Sequence, residues 1–440
     1  GPRGPGPEPP PHAVQPLPLA GAPLLVSDLE TNGICYLDFG LDCSGLPADL
    51  LPYLDLFGTI LTEIGTRRLD YMQFAKAINQ CTGGFSHSFQ AYLRADSRDT
   101  VRPILWLHVK VLSSFLEEAL ALVNEVLTSV DFSDVHRIDE IVHREFAWAE
   151  HSAHSDGYSL AATNAFAHLS QAGRYHEYVH GIHAYLHLKH LAGQYDPEEA
   201  NLLAALERIR DHLFRRRGLT VAITAEAADI ERFRTLGAAT VNSLADLEVT
   251  PAQPEFSLGA RTRACTTSAE IVYNVQACTL FPSPEAYNGR FEVLRTWLSR
   301  DYLWNTVRQK NGAYGCFIQF NHLSGNFGMV SYRDPQVRRT YEAYEALPAV
   351  IGEMEVGAEL LDQLVIGAYG SCVPHLGPAA RGAAARNGYL CGIAPAFRRQ
   401  RLAELLATTA EDLRGFAPLF AALAENRIRT SRGSAARVDP

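Results

Sequence analysis

Lysine is nearly absent from this 440-residue chain, occurring only at positions 76, 110, 189 and 310. Almost all of its basic charge is therefore arginine. Acids still outnumber bases, 49 Asp and Glu against 39 Lys and Arg, for a formal charge of -10. That balance excludes nucleic acid as the main partner, because affinity for a phosphate backbone is built from Lys and Arg. The run Arg215-Arg216-Arg217 is short and falls at an expected helix end, where cations are favourable anyway. Long apolar runs are also missing. None approaches the roughly 18 residues of a membrane span, so no span is expected. The eight cysteines (Cys35, Cys43, Cys81, Cys265, Cys278, Cys316, Cys372 and Cys391) include no C-x-x-C pair. Their scatter is the pattern of free thiols in a reducing compartment. No Walker loop, dinucleotide fingerprint or nucleophile elbow is present. The inverted zinc motif H-x-x-E-H is absent too: its nearest approach, Ala147-Trp148-Ala149-Glu150-His151, has Ala where the first ligand would stand.

What remains is a globular composition, 47% hydrophobic and 20% charged. The length calls for two or three hydrophobic cores. The opening "GPRGPGPEPPPHAVQPLPLAGAP" has neither the apolar core of a signal peptide nor the pattern of a transit peptide. Residues 1–22 are expected to be a Pro/Gly-rich tail or linker, with further sequence upstream. "GICYLDFGLDC" alternates as a strand does. Helices follow over 48–64 and 70–79, then strands in "TGGFSHSFQAYLR" and "RPILWLHVKVL", then a helical block from Ser113 to Arg217. "LTVAITAE" returns to the sheet. Residues 247–263 read as an interdomain linker. The second half repeats this logic: the strand "AEIVYNVQACTL", helices from Pro284 to Arg308, a hairpin turning at 322–325, and helices from Gln336 to Asn426. Strands followed by a helical block, twice over, imply an α+β fold. Two homologous domains, 23–246 and 264–440, would each be a mostly antiparallel sheet covered by helices.

Four motifs carry candidate chemistry. "YHEYVH" (175–180) contains H-E-x-x-H, which on a helix places His176 and His180 one turn apart. Glu198 or Glu199 would be a third ligand. Against a zinc site, Tyr175, Tyr178, Val179, Ile182, Tyr185 and Leu186 form the apolar stripe. His176, His180, His183, His187 and His190 follow one residue later, about 100° around the helix, as a partly exposed row. "VRQKNGAYG" (307–315) closes a helix on Arg308, turns at Asn311-Gly312 and enters a strand at Tyr314. Arg308 offers a fork of donors for backbone carbonyls or carboxylates, and the Tyr314 hydroxyl can stabilise an oxyanion. An ordinary helix cap and strand tyrosine explain the same residues. "SYRDP" (331–335) reads as a strand end with Asp334 capping the next helix and Pro335 opening it. "CTGG" (81–84) reads as a turn.

Together "DYLWNTVRQKNGAYGCF", "SGNFGMVSYRDP", "LPYLDLFGTILTEIGTRRLDYMQFAKAINQCTGG" and "HSDGYSLAATNAFAHLSQAGRYHEYVHGIHAYLHLKHL" resemble the C-terminal half of presequence proteases. These are a branch of the pitrilysin/insulinase metallopeptidases, and the resemblance runs from about Pro23 to Asn426. It implies the third and fourth of four homologous domains, which close as a clamshell around an unfolded peptide. It implies zinc and H-x-x-E-H in a half not present here, and no cofactor in this chain. The equivalent helix here carries Leu56-Phe57-Gly58-Thr59-Ile60, so the chain alone is expected to be silent. Arg308 and Tyr314 match the family's substrate-binding Arg and Tyr, with Gly312, Ala313 and Gly315 around them. The implied partners are the zinc-bearing half and unfolded peptides. The implied compartment is the cytoplasm in a bacterium, and the mitochondrial matrix or another organelle in a eukaryote. A non-catalytic structural or peptide-binding subunit is the alternative, and an autonomous zincin at His176 and His180 a third reading. The tail "RIRTSRGSAARVDP" is more polar than a closing strand of such a domain should be.

Overall fold

The computed structural model describes residues 13–194, 201–248, 253–266 and 272–434. Two sheets organise the chain. The first contains β1 (Gln15–Leu19), β2 (Ala22–Asp28), β3 (Ile34–Asp42), β4 (Gly84–Arg94), β5 (Ser97–Leu112) and β6 (Leu219–Ala225), in the order β1-β2-β6-β3-β5-β4. The second contains β7 (Thr262–Thr266), β8 (Val272–Thr279), β9 (Gly315–Asn321), β10 (Asn326–Asp334) and β11 (Ile428–Gly433), in the order β7-β11-β8-β10-β9. Setting β1 aside, the two orders are identical when β2–β6 is matched with β7–β11. In each sheet one pair is parallel, β2 with β6 and β7 with β11, and the others are antiparallel. The repeated logic of the sequence is a repeated topology.

Three expectations need correction. Residues 15–22 are not tail: β1 pairs with β2 through a turn at Ala20 and Gly21, both with positive φ, as a two-residue hairpin turn requires. β7 starts at Thr262, inside the stretch read as linker. Residues 249–252 of that stretch, and 1–12 of the tail, lie outside the described residues. The polar C-terminal stretch does form a strand, and a central one. β11 sits between β7 and β8, and Thr430, Ser431 and Arg432 are buried. The two hydroxyls find partners instead of water, while the Arg432 guanidinium lies 5.8 Å from the centre of the Tyr185 ring and its Nε has no hydrogen-bond partner. Ser431 Oγ donates to Asn274 Oδ1 at 2.8 Å and lies 2.6 Å from Tyr341 OH. Thr430 Oγ1 donates to Asn164 Oδ1 at 3.3 Å. Such bonds offset the cost of burying the hydroxyls of this strand.

Each sheet is covered on one face by its own helices. Phe39, Phe57, Phe74 and Phe233 centre the first core, and Phe281, Phe291, Phe327 and Phe420 the second. The other face receives a helix from the opposite half of the chain. Helix Tyr158–Ala167 lies on β8, β10 and β11, with Ala161, Ala162 and Ala165 against Val275, Ala277 and Val330. Helix Pro378–Leu390 lies on β2, β4 and β6. Small residues allow the approach: a Cβ on Gly382 would collide with Thr224 Oγ1. A salt bridge ties the second exchange. Arg386 Nη1 donates to Asp38 Oδ2 at 2.7 Å, and its guanidinium lies 4.3 Å from the centre of the Trp106 ring. Trp106 Nε1 donates to Tyr92 OH, which donates to Asn387. The reciprocal exchange joins the two units by packing and by buried polar contacts.

Candidate functional site

The turn carrying Arg308 and Tyr314 is built by an unusual helix. Helix Arg290–Trp297 continues as π-helical turns over Leu298–Tyr302 and Trp304–Lys310. The fully buried residues Leu294, Leu298, Leu303 and Val307 are spaced four, five and four apart. A strict 3.6-residue helix would rotate that stripe off the core, and the widened turns keep it there. π-Helical insertions concentrate at functional sites. Nested bonds close the helix: Gly312 N donates to Arg308 O at 3.0 Å and Ala313 N to Val307 O at 3.1 Å. Gly312 supplies the positive φ, +86°, and is exposed. Ala313 is buried. Gly315 is buried against Tyr332, whose ring would collide with an added Cβ.

This scaffold leaves Arg308 and Tyr314 at the two ends of one turn. The Arg308 guanidinium stacks over Trp304 at 3.8 Å, and Trp304 is itself exposed. Tyr314 is 60% exposed, with its ring 5.8 Å from Tyr332 and the Arg333 guanidinium 5.1 Å from its centre. Tyr314 N donates to Arg333 O at 3.1 Å, and Arg333 holds a positive φ of 48°.

Asp334 secures that corner in a way the sequence did not reveal. The following helix begins at Arg338, so Asp334 is not its cap and Pro335 is not its first residue. Asp334 is buried at the β10 bulge, where it accepts from Ser331 Oγ at 2.7 Å, Thr340 Oγ1 at 2.5 Å and Asn274 Nδ2 at 3.1 Å. It also takes Gln336 N at 2.9 Å. The signal was an Asp flanked by hydroxyls at 331 and 340, a spacing that only the bulge makes meaningful.

The H-E-x-x-H segment is arranged differently from the expectation. The helix ends at His180, Gly181 breaks it, and a second helix runs Ile182–Gln194. The five histidines therefore do not form one row. Tyr175, Tyr178, Val179 and Ile182 are buried as the periodicity implied, but Leu186 is exposed. Glu177 is fully buried, held by Asn164 Nδ2 at 3.3 Å and by His183 Nδ1 at 3.2 Å. A carboxylate sealed on that side cannot serve as base for water bound between His176 and His180. Those two rings stack 5.8 Å apart, and each meets Phe89 edge-on at 5.7 Å. Glu198 and Glu199 lie outside the described residues.

His180 borders a cleft of about 210 Å³ together with Asp55, Thr59 and His187. His180 keeps solvent contact while crowded by the cleft walls. Burial raises the Asp55 carboxyl, but the His87 hydrogen bond at 2.8 Å and the charges of His87 and His180 outweigh it and bring it below its usual range. Burial, with His180 beside it, pushes His176 down to about 4. The unfolded chain keeps an imidazole near 6.5 and takes up its proton first. Folding stability should therefore fall as pH drops from about 6.5 towards 4. His176→Phe should flatten that fall, as read from denaturation midpoints across the range. An unchanged slope would contradict the burial of a neutral imidazole.

The helix that the resemblance aligned with a zinc-binding helix is Leu54–Leu61. Leu56, Phe57, Gly58 and Ile60 are buried in the core, and His87 packs where a Gly58 side chain would lie. None of them can ligate. Among the described residues no group of three or more His, Cys, Asp or Glu could hold a metal ion. The described residues do not fit zinc.

Two family models match in order along the chain. The associated domain of peptidase family M16, subgroup C, matches residues 8–191, and the PreP C-terminal domain matches residues 265–430. The chain corresponds to the C-terminal half of a presequence-protease-like M16 peptidase. It is 27% identical over 400 residues to Protein HypA of Clostridium perfringens, covering 91% of this chain and 41% of that protein. It is 27% identical over 429 residues to Presequence protease 1, chloroplastic/mitochondrial, of Arabidopsis thaliana, covering 95% and 39%. The chain thus spans about two fifths of the length of these relatives. In fold it matches a peptidase M16 inactive domain from Pseudomonas fluorescens, with a TM-score of 0.66, 14% identity and coverage of 97% and 99%. The periplasmic protease PqqL of Escherichia coli matches with a TM-score of 0.63, 12% identity and coverage of 96% and 45%. The M16 half carries the α+β architecture of two pitrilysin-type units. No helix among its described residues is long and apolar enough to cross a membrane.

Proposed function

We propose that this chain acts with a zinc-bearing M16 half to cleave unfolded peptides, supplying substrate and transition-state contacts and no metal. One observation carries the reading: the helix at the zinc-helix position is packed shut by Leu56, Phe57 and Ile60, while Tyr314 stands exposed on a rigid turn. Arg308 holds a carbonyl of the peptide backbone through its fork of donors. Tyr314 donates to the carbonyl oxygen under attack, where negative charge develops. Gly312, Ala313 and Gly315 serve through backbone shape. The units are residues 23–246, extended back to Gln15, and 264–440 from Thr262, joined through the segment between them. The compartment is the cytoplasm in a bacterial host, and the mitochondrial matrix or another organelle in a eukaryotic one.

The test is reconstitution. Mixing the chain with the zinc-bearing half of a relative should produce cleavage of an unstructured peptide, and the chain alone should produce none. Cleavage by the zinc-bearing half at the same rate without this chain would refute the contribution. Peptide binding by the mixture without cleavage would instead favour a peptide-binding subunit.

A further inference from the structure

A second cavity lies in the C-terminal unit, away from the turn that carries Arg308 and Tyr314. Its volume is about 690 Å³, within the range of small-molecule sites, ~300–1,000 Å³. Residues of helices Ala358–Cys372, Pro378–Leu390 and Pro395–Leu406 line it, and His322 borders it from the β9–β10 turn. The lining holds Arg381, Arg398, Arg399, Arg401, His322 and His375 with no Asp or Glu, and Ser371 and Cys372 are its other polar residues. In a chain with 49 acids against 39 Lys and Arg, composition alone does not produce such a lining.

The donors there are underused. Arg401 Nη2 points at Cys372 Sγ, 3.0 Å away, and sulfur is a weak acceptor. Arg401 Nε and His322 Nε2 are buried with no hydrogen-bond partner. Buried polar atoms without partners call for an explanation, and a missing anion is a direct one. Gly388 makes room for Arg398: an added Cβ would collide with its Nη2. Burial and the nearby charges of Arg401 and Arg398 hold the His322 imidazole down to about 4. The rest of the wall is apolar. Val373, Ile393, Leu402 and Phe397 line it, and Phe397 stacks on His322 at 5.3 Å.

We propose that this cavity binds a small organic anion, with a phosphate or carboxylate head on Arg381, Arg398 and Arg401 and an apolar or aromatic body against Phe397 and Ile393. Guanidinium forks suit either head in a bidentate mode. The proposal does not depend on the peptidase role, because it concerns binding to this chain alone.

The 440-residue chain should be titrated calorimetrically with inorganic pyrophosphate, ADP and phthalate at low salt. At least one should bind more tightly than about 1 mM, and added salt should weaken it. ADP binding tighter than pyrophosphate identifies a phosphate ligand with an aromatic body. Phthalate binding alone identifies a carboxylate ligand. Arg381→Gln and Arg398→Gln lie on different helices and are partly solvent-exposed, and each should cost at least tenfold in affinity. Thermal melts of both variants check that they fold, and Arg414→Gln, outside the cavity, should bind as the parent does. The proposal is overturned if no probe binds more tightly than about 1 mM, or if folded Arg381→Gln and Arg398→Gln both bind like the parent.

Discussion

In the reconstituted peptidase, Tyr314→Phe is expected to lower kcat by about 10²–10³, the scale of one lost oxyanion donor. KM should change little, because the hydroxyl is assigned to charge that appears only in the transition state. Stability should be unaffected. The ring is 60% exposed, and its contacts with Tyr332 and Arg333 do not use the hydroxyl. Arg308→Ala should behave differently, raising KM along with lowering kcat, since a backbone carbonyl is held before and during attack. It also releases Trp304 from its cation–π contact. Steady-state kinetics on one unstructured peptide separate the two. Wild-type turnover in Tyr314→Phe would remove the residue from the mechanism while leaving the M16 fold untouched.

The turn around Tyr314 also shows where sequence reading succeeds and stops. The β9–β10 hairpin was legible because Ile318, Phe320, Phe327 and Met329 recur at every second position of its two strands and Gly325 takes the positive φ of the turn. The helix before it was legible as a helix, but its π-helical widening was not. That depends on a five-residue step from Leu298 to Leu303, which local propensity does not distinguish from noise. Asp334 looked like a helix cap because Asp-Pro usually is one. The bulge that turns its carboxylate inward is set by pairing with β8, which is a long-range fact. β11 failed for a related reason. A polar strand reads as surface until Asn164, Asn274 and Tyr341, from three distant elements, are placed against it. The histidines misled through a missed break at Gly181. With Gly there, the chain turns so that Glu177 faces inward and meets His183. Buried polar networks are specified by tertiary contacts, so periodicity alone does not reach them.

The exchange of helices between the units leads to the largest expected stability effect, at Arg386. Arg386→Ala should destabilise the chain by about 3–5 kcal/mol, the range for removing one partner of a buried ion pair. Three interactions go at once. Asp38 loses its bond to Nη1 at 2.7 Å and keeps only the contact with His108, 2.6 Å away. Trp106 loses the cation over its face. Asn387 loses the donors that Arg386 shares with it. The Coulombic part is separable from the packing part. Arg386→Met with Asp38→Asn keeps most of the volume and removes both charges, so it should recover much of the loss. Denaturant unfolding of Arg386→Met, Asp38→Asn and the double variant forms a cycle whose coupling measures the pair. A loss below about 1 kcal/mol in Arg386→Ala would mean that the apolar contacts of Leu25, Ile104 and Leu390 suffice to hold helix Pro378–Leu390 on the first sheet. In that case the Asp38 bridge would set the register of the helix and not its attachment, and limited proteolysis near Pro378 would be unchanged in the variant.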